Sequence, residues 1–180
     1  MQSKGKKVKK NAIADLVNKL KTDYKINFEY QQPSNKRIYI RVPRENVREL
    51  TQIIFRDFGA KFSIATGIDV REGYEVLYHF TFDKEGFICT IRTIAPRDDP
   101  KLYSIVSIVP GATWIEREIH DILGVQFEGH PNLRRLVKAE FIDENEYPFR
   151  KDFDIKKFKE KHGLTTQINR TNGIKNPSRK

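Results

Sequence analysis

The chain has 180 residues, enough for one compact domain with a proper core, and its single cysteine, Cys89, rules out an intramolecular disulfide framework and a cysteine-only metal cage. Its formal net charge is +10, but the excess lies at the ends: residues 1–10 and 161–180 each carry five basic side chains and no acid, whereas residues 11–160 hold 24 of each sign. A folded nucleic-acid reader needs a basic face on its body, so a nucleic-acid-binding module using the basic tails is only the secondary reading, and no nucleic-acid partner is expected.

Residues 11–21 read as a helix, with Ile13, Leu16, Val17 and Leu20 at helical spacing. Asp15, Asn18 and Lys19 interrupt any signal-peptide core there, and no apolar run approaches the ~20 residues that span a bilayer. Ile26, Phe28 and Tyr30 alternate, Pro33-Ser34-Asn35 turns, and Ile38, Ile40 and Val42 alternate again, so 24–42 reads as a β-hairpin. Residues 44–58 return to helical period through Val47, Leu50, Ile54 and Phe58, with Gly59 as the stop. A three-stranded meander follows. Phe62, Ile64, Ile68 and Val70 form the apolar alternation of its first strand, Tyr74 to Phe82 that of its second, and Phe87, Cys89 and Ile91 that of its third.

A short strand is expected within 103–109. The order α-β-β-α-β-β-β implies an α+β sandwich with helices on one face of a mostly antiparallel sheet. A short helix at 113–123 comes next, with Thr113 and Glu116 as a capping box and Gly124 as its end. Beyond Gly124 regular structure is expected to give way to an extended C-terminal arm shaped by Gly129, Pro131 and Pro148. The chain therefore divides into a basic N-terminal tail (1–10), an α/β core (11–110), a signature helix with an arm that docks on a partner (111–162) and a basic flexible tail (163–180). The tails are expected to be solvated, or to dock on an acidic protein surface or anionic lipid.

The most informative stretch runs from Trp114 to Asp152. Glu116, Arg117, Glu118, Asp121, His130, Arg134, Arg135, Arg150, Lys151 and Asp152 lie there beside Trp114, Ile119 and Phe127. Charges interleaved with bulky apolar groups predict a partly buried ionic network that serves a protein interface. One of Arg134 and Arg135 is expected to lock onto Glu116, Glu118 or Asp121 while the other meets a partner, and Arg150 is expected to pair with Asp152. Glu116–His120 and Arg117–Asp121 are neighbours four apart.

No active site is visible. Glu116, His120 and His130 lack the His-Glu-x-x-His order of a zinc protease, so no metal site is expected. Cys89 sits in an alternating strand, where a buried thiol is the normal outcome. There is no Gly-x-Ser-x-Gly and no phosphate-cradling glycine loop, and Glu116 and Glu118 point to different faces of their helix.

The string Glu116-Arg117-Glu118, Asp121, Gly124, Phe127, Gly129-His130-Pro131, Leu133-Arg134-Arg135, with Arg150-Lys151-Asp152-Phe153 downstream, resembles the signature of the NuoC-like, 30-kDa subunit family of respiratory complex I, the NADH:quinone oxidoreductase. Relatives of that family also occur in membrane-bound energy-converting [NiFe] hydrogenases and ferredoxin-dependent complexes. The resemblance covers roughly residues 10–160. It implies a non-catalytic peripheral-arm subunit that binds no cofactor itself and sits on the cytoplasmic side of the cell membrane. Its implied partners are a large hydrogenase-like subunit, iron–sulfur subunits and, through the complex, antiporter-like membrane subunits. Those partners are implied to carry iron–sulfur clusters and, in the hydrogenase branch, a [NiFe] centre. The family pattern Gly-His-Pro-Leu-Arg-Lys-Asp-Phe-Pro is replaced here by Glu146 to Asp154 after a longer spacer, and the chain closes in a basic tail. Those departures favour the hydrogenase-like or ferredoxin-linked branch over quinone reduction.

Overall fold

In a computed structural model the described residues are 12–164, so the basic segments at 1–10 and 165–180 lie outside the described residues. Helix α1 (Ala12–Thr22) buries the stripe its spacing predicts, Ile13, Leu16, Val17 and Leu20. Strands β1 (Glu29–Ser34) and β2 (Arg37–Arg41) form the expected hairpin. The strand begins later than the alternation at Ile26 suggests. The Ile26 amide instead donates to the Leu20 carbonyl at 3.2 Å, which spends one of the free acceptors at the end of α1.

Residues Arg44–Asn46 make a 3-10 turn that feeds α2 (Val47–Gln52), and the helix widens into a π-helical end at Ile53–Asp57. The meander follows as β3 (Lys61–Val70), β4 (Gly73–Phe82) and β5 (Phe87–Pro96). The sheet order is β1-β2-β5-β4-β3. Every neighbouring pair is antiparallel except β2 with β5, because α2 carries the chain back before the meander starts. Tyr74, Val76, Tyr78 and Phe80 of β4 are at most 1 % exposed and lie in one core with α1, α2 and the helix that follows the sheet. Among the described residues no helix packs on the opposite face in the core cluster. That face is knitted by polar pairs, Arg92 with Glu75 at 2.8 Å and His79 Nδ1 with Thr90 Oγ1 at 2.9 Å. The α+β arrangement with helices on one face is as the sequence predicts.

Strand β3 departs from expectation. Ile64 and Ile68 are 51 % and 40 % exposed, while Ala65 and Asp69 are buried. A register shift between Phe62 and Ile64 reverses the phase of the strand, and a one-residue slip sends every later side chain to the other face. Helix α3 (Thr113–Leu123) explains why the inward positions are small. A Cβ on Gly67 would lie 2.7 Å from Leu123 Cδ1 and 3.0 Å from Ile119 Cγ2.

The C-terminal third holds more regular structure than predicted. No strand forms in 104–109, which turns instead; β6 (Lys101–Tyr103) ends where the strand was expected to begin, and it pairs in parallel with β7 (Gln126–Glu128), just beyond Gly124. Helix α4 (Ile155–Lys161) closes the arm, and the Asp154 carboxylate caps it by accepting from the Lys156 and Lys157 amides at 3.0 and 3.1 Å. Gly163 and Leu164, expected in the basic tail, still belong to the cap of α4, with the Leu164 amide 2.8 Å from the Lys159 carbonyl.

Replacing Gly67 with Val should overpack the contact between β3 and α3 and destabilise the fold by about 1–3 kcal/mol. Thermal melting of the two proteins reads this directly. An unchanged midpoint would mean that α3 is free to move away from the sheet.

Candidate functional site

The predicted capping box does not form. The residue before α3 is Ala112, with no side-chain cap, and the Thr113 hydroxyl donates back to the Pro110 carbonyl at 2.7 Å. Glu116 is free to turn inward, where it is 0 % exposed. Its Oε1 accepts from the Ile105 amide at 2.9 Å and the Tyr78 hydroxyl at 3.2 Å, and its Oε2 accepts from the Ser104 hydroxyl at 2.6 Å. No cation lies within ion-pair distance among the described residues. Burial pushes the carboxyl up from its ordinary 4.5 to about 7, although the donors from Ser104, Ile105 and Tyr78 pull the other way. Glu116 thus ties α3 to β4 and to the turn after β6.

Asp121 does the corresponding work on the arm. Its Oδ2 accepts three successive amides, from Leu136, Val137 and Lys138, at 3.1, 2.7 and 2.7 Å, and its Oδ1 is 3.7 Å from Lys138 Nζ. Burial alone would raise this carboxyl, but the amides and the Lys138 charge outweigh it and hold it below the usual carboxylate range. Burial lowers the Lys138 ammonium, an effect that Asp121 partly offsets.

The arginines bind carbonyls. Arg117, buried, donates to the Arg134 carbonyl at 3.0 Å and the Arg135 carbonyl at 2.8 Å, with its guanidinium 5.1 Å from the Trp114 ring centre. Arg135 Nη2 donates to the Ala139 carbonyl at 3.0 Å and to the Ile142 carbonyl. Lys138 Nζ donates to the carbonyls of Asp143, Glu144 and Glu146. Arg150 Nε donates to the Leu123 carbonyl at 2.8 Å, satisfying a free acceptor where the negative end of the α3 dipole lies. Its guanidinium sits between Tyr74 and Tyr147, 4.6 and 4.0 Å from their ring centres. Gly124 leaves room for this: its φ is +78, and a Cβ there would meet Arg150 Nη2 at 2.3 Å.

These contacts correct the predicted pairings. Neither Arg134 nor Arg135 meets Glu116, Glu118 or Asp121, and Arg150 does not pair with Asp152. The i,i+4 pairs on α3 are absent too, since His120 Nδ1 lies 2.9 Å from the Val125 carbonyl and Arg117 reaches the arm. For Asp121, Arg117 and Arg135 the reason is that residues 129–154 have no strand or long helix, so their carbonyls and amides need side-chain partners, whereas Arg150 and His120 serve the carbonyls of Leu123 and Val125 around the end of α3. His130 takes part, with Nε2 3.1 Å from the Thr113 carbonyl and Nδ1 accepting from the Asn132 amide at 3.0 Å; burial lowers its pKa.

Four predicted residues stay outside the network. Glu118, Asp152 and the side chains of Arg134 and Lys151 make no hydrogen bond or ion pair among the described residues. Lys151 contributes only its amide, to Asp69 Oδ2 at 2.8 Å. Sequence reasoning missed Asp69, which also pairs with Arg97, and it missed Ser104, Tyr78 and Lys138. For Asp69 a signal exists, because it shares the inward parity of Ala65 and Gly67. Among the described residues no group of three or more His, Cys, Asp or Glu side chains is placed to hold a metal ion. Cys89 is fully buried, and burial pushes its thiol up to about 12, far from a reactive thiolate.

Comparison with known proteins gives a consistent picture. The profile of the family described as "Respiratory-chain NADH dehydrogenase, 30 Kd subunit" matches residues 40–159. The C-type subunit of the NADH-quinone oxidoreductase of Bordetella pertussis is 41 % identical over 92 residues, 50 % of this chain and 43 % of that protein. The corresponding protein of Roseobacter denitrificans is 31 % identical over 126 residues, 67 % of this chain and 62 % of that protein. In Methylococcus capsulatus the match, at 36 % identity, takes up 18 % of a longer NADH-quinone oxidoreductase protein of combined C/D type. The chain thus spans less than two thirds of the length of these curated relatives. Among solved structures, a chain of the membrane-bound sulfane sulfur reductase, an archaeal respiratory membrane complex, superposes with a TM-score of 0.72 at 25 % identity, covering 92 % of this chain and 98 % of that one. A trypsin-resistant fragment of Nqo5 shares the fold, with a TM-score of 0.57 at 21 % identity over 67 % of this chain and 98 % of the fragment.

Two outcomes follow from the buried carboxylates. Glu116 stays protonated in the folded chain up to about pH 7 but ionises near 4.5 when unfolded, so the folded state binds more protons across that window. Stability therefore falls as pH rises from 4.5 to about 7, by on the order of 3 kcal/mol, and is flat above it. Glu116→Gln should match the wild type near pH 5 and exceed it near pH 8 in denaturant titrations; a difference that does not change with pH would refute the assignment. Asp121→Ala leaves three amides without their acceptor and Lys138 without its counterion, at a cost of about 3–5 kcal/mol. Limited trypsin digestion should then cut at Arg134, Arg135 or Lys138 at concentrations that leave the wild-type arm intact.

Proposed function

The chain belongs to the family of the 30-kDa subunit of respiratory-chain NADH dehydrogenase, and on that footing we propose that it is a non-catalytic peripheral subunit of a membrane-bound respiratory oxidoreductase. Its work is to hold a large catalytic subunit against iron–sulfur subunits on the cytoplasmic side of the membrane. The redox chemistry, with iron–sulfur clusters and in a hydrogenase-like assembly a [NiFe] centre, belongs to those partners. The antiporter-like membrane subunits are reached through them.

One observation carries this reading. Arg117 and Asp121 of α3 are spent on shaping the arm, and the start of α3 together with the arm so shaped presents large apolar side chains to solvent. Trp114, Val137, Phe141, Phe149, Ile155 and Leu164 are all exposed, Trp114 at 65 % and Phe149 at 67 %. Ordering that much irregular chain and leaving its aromatics outward makes sense where a second protein covers them. The free charges of Glu118, Arg134, Lys151 and Asp152 supply the polar rim that such a contact needs. The likeness to a chain of the sulfane sulfur reductase over 92 % of this one favours a relative of that assembly. A nucleic-acid role has no such support: residues 12–164 carry 25 basic and 24 acidic side chains, an almost neutral body.

Affinity isolation of the native protein from gently solubilised membranes should recover subunits that bind iron–sulfur clusters together with antiporter-like membrane subunits. Recovery as a lone monomer would overturn the proposal.

A further inference from the structure

A cavity of about 540 Å³ opens between the C-terminal half of α3 and the arm, with His120, Arg134, Arg135, Lys138, Glu144 and Tyr147 in its lining. Its charges are unevenly used. Asp121, also in the wall, is saturated by three amides and Lys138. Lys138 has its three donors on the carbonyls of residues 143, 144 and 146. The arginines have donors to spare. Arg134 is exposed and its guanidinium makes no hydrogen bond or ion pair among the described residues. Arg135 spends Nη2 on two carbonyls, yet its Nε is buried without a hydrogen-bond partner among the described residues. His120, with Nδ1 committed to the Val125 carbonyl, has Nε2 left over.

Two adjacent guanidinium groups with unused donors beside one cavity are the recognition chemistry of a carboxylate, which a planar fork holds by two parallel hydrogen bonds. A volume of about 540 Å³ suits a few side chains, far less than a folded domain. We propose that this cavity receives a carboxylate-bearing segment of a neighbouring subunit, an Asp or Glu side chain or a C-terminal carboxyl, clamped by Arg134 with Arg135 behind it. A polypeptide is the occupant, since Val137 and Phe141, both 55 % exposed, follow the arginines on the same arm and need an apolar cover that a small free anion does not provide. The inference rests on the proposed subunit role and names the partner chemistry of that site.

The test uses the intact complex. Carbodiimide joins a lysine amine to a carboxylate in contact with it as an amide, and leaves arginine untouched. Arg134→Lys should therefore create a cross-link, absent from the wild type, between position 134 and an Asp, a Glu or the C-terminal carboxyl of another subunit, identified by mass spectrometry. Arg134→Glu should lower the fraction of chain retained in the complex by about tenfold or more. If Arg134→Lys assembles but position 134 couples only to Glu144 or elsewhere on this chain, or to nothing, the carboxylate clamp is wrong while the subunit role stands. If the wild-type chain comes out of membranes unaccompanied, the subunit role itself fails and the clamp falls with it.

Discussion

Backbone hydrogen bonding in the arm is the constraint on which the C-terminal third depends. Residues 129–154 form no strand and no long helix, yet they pass close to the core, where a peptide group without a partner is costly. Asp121 answers this by accepting three consecutive amides on one oxygen. Arg117, Arg135, Lys138 and Arg150 answer the complementary need by donating to carbonyls of the arm and of α3. The density of charge in this stretch is thus a substitute for secondary structure. Carboxylates and guanidinium groups suit the task because charge-assisted bonds are about twice as strong as neutral ones.

Glu116 belongs to the same helix but works on its other side. It is buried with two hydroxyls and an amide and, among the described residues, with no cation, so α3 is joined to the sheet through a group whose charge state depends on pH. Together Glu116 and Asp121 make α3 the piece that relates the arm to the sheet. Gly67 and Gly124 allow the close approaches this requires, one beneath the helix and one at its end. A partner that docks on the arm therefore meets a surface whose position is set from the core outward. That is the property the proposed connecting role needs.

The helices α1 and α3, the hairpin and the meander were legible because each carries a one-sided apolar pattern at its own period. The pattern misled at β3, where a bulge reverses the phase after Phe62 and the largest apolar side chains, Ile64 and Ile68, point out. Strand β7 and helix α4 escaped notice because three and seven residues are too short to show a period. At the site, Glu116, Arg117, Asp121, His130, Arg135 and Arg150 enter the network, while Glu118, Asp152 and the side chains of Arg134 and Lys151 do not, and the partners differ from those expected. Charges of opposite sign close together in sequence suggested ion pairs, but the neighbouring backbone competed for the same groups and won.

From its sequence alone the chain determined the α+β class, the place of the charged stretch, the neutrality of the body between basic ends and the resemblance to a subunit family. Composition, period and spacing are local properties, so they survive without a structure. Only the tertiary structure decided that Glu116 faces the core, that Asp121, Arg117, Arg135 and Arg150 serve backbone groups, and that among the described residues the Arg134 guanidinium has no partner. Those outcomes depend on where α3 lies relative to β3 and to the arm, a distance in space that no spacing along the chain encodes.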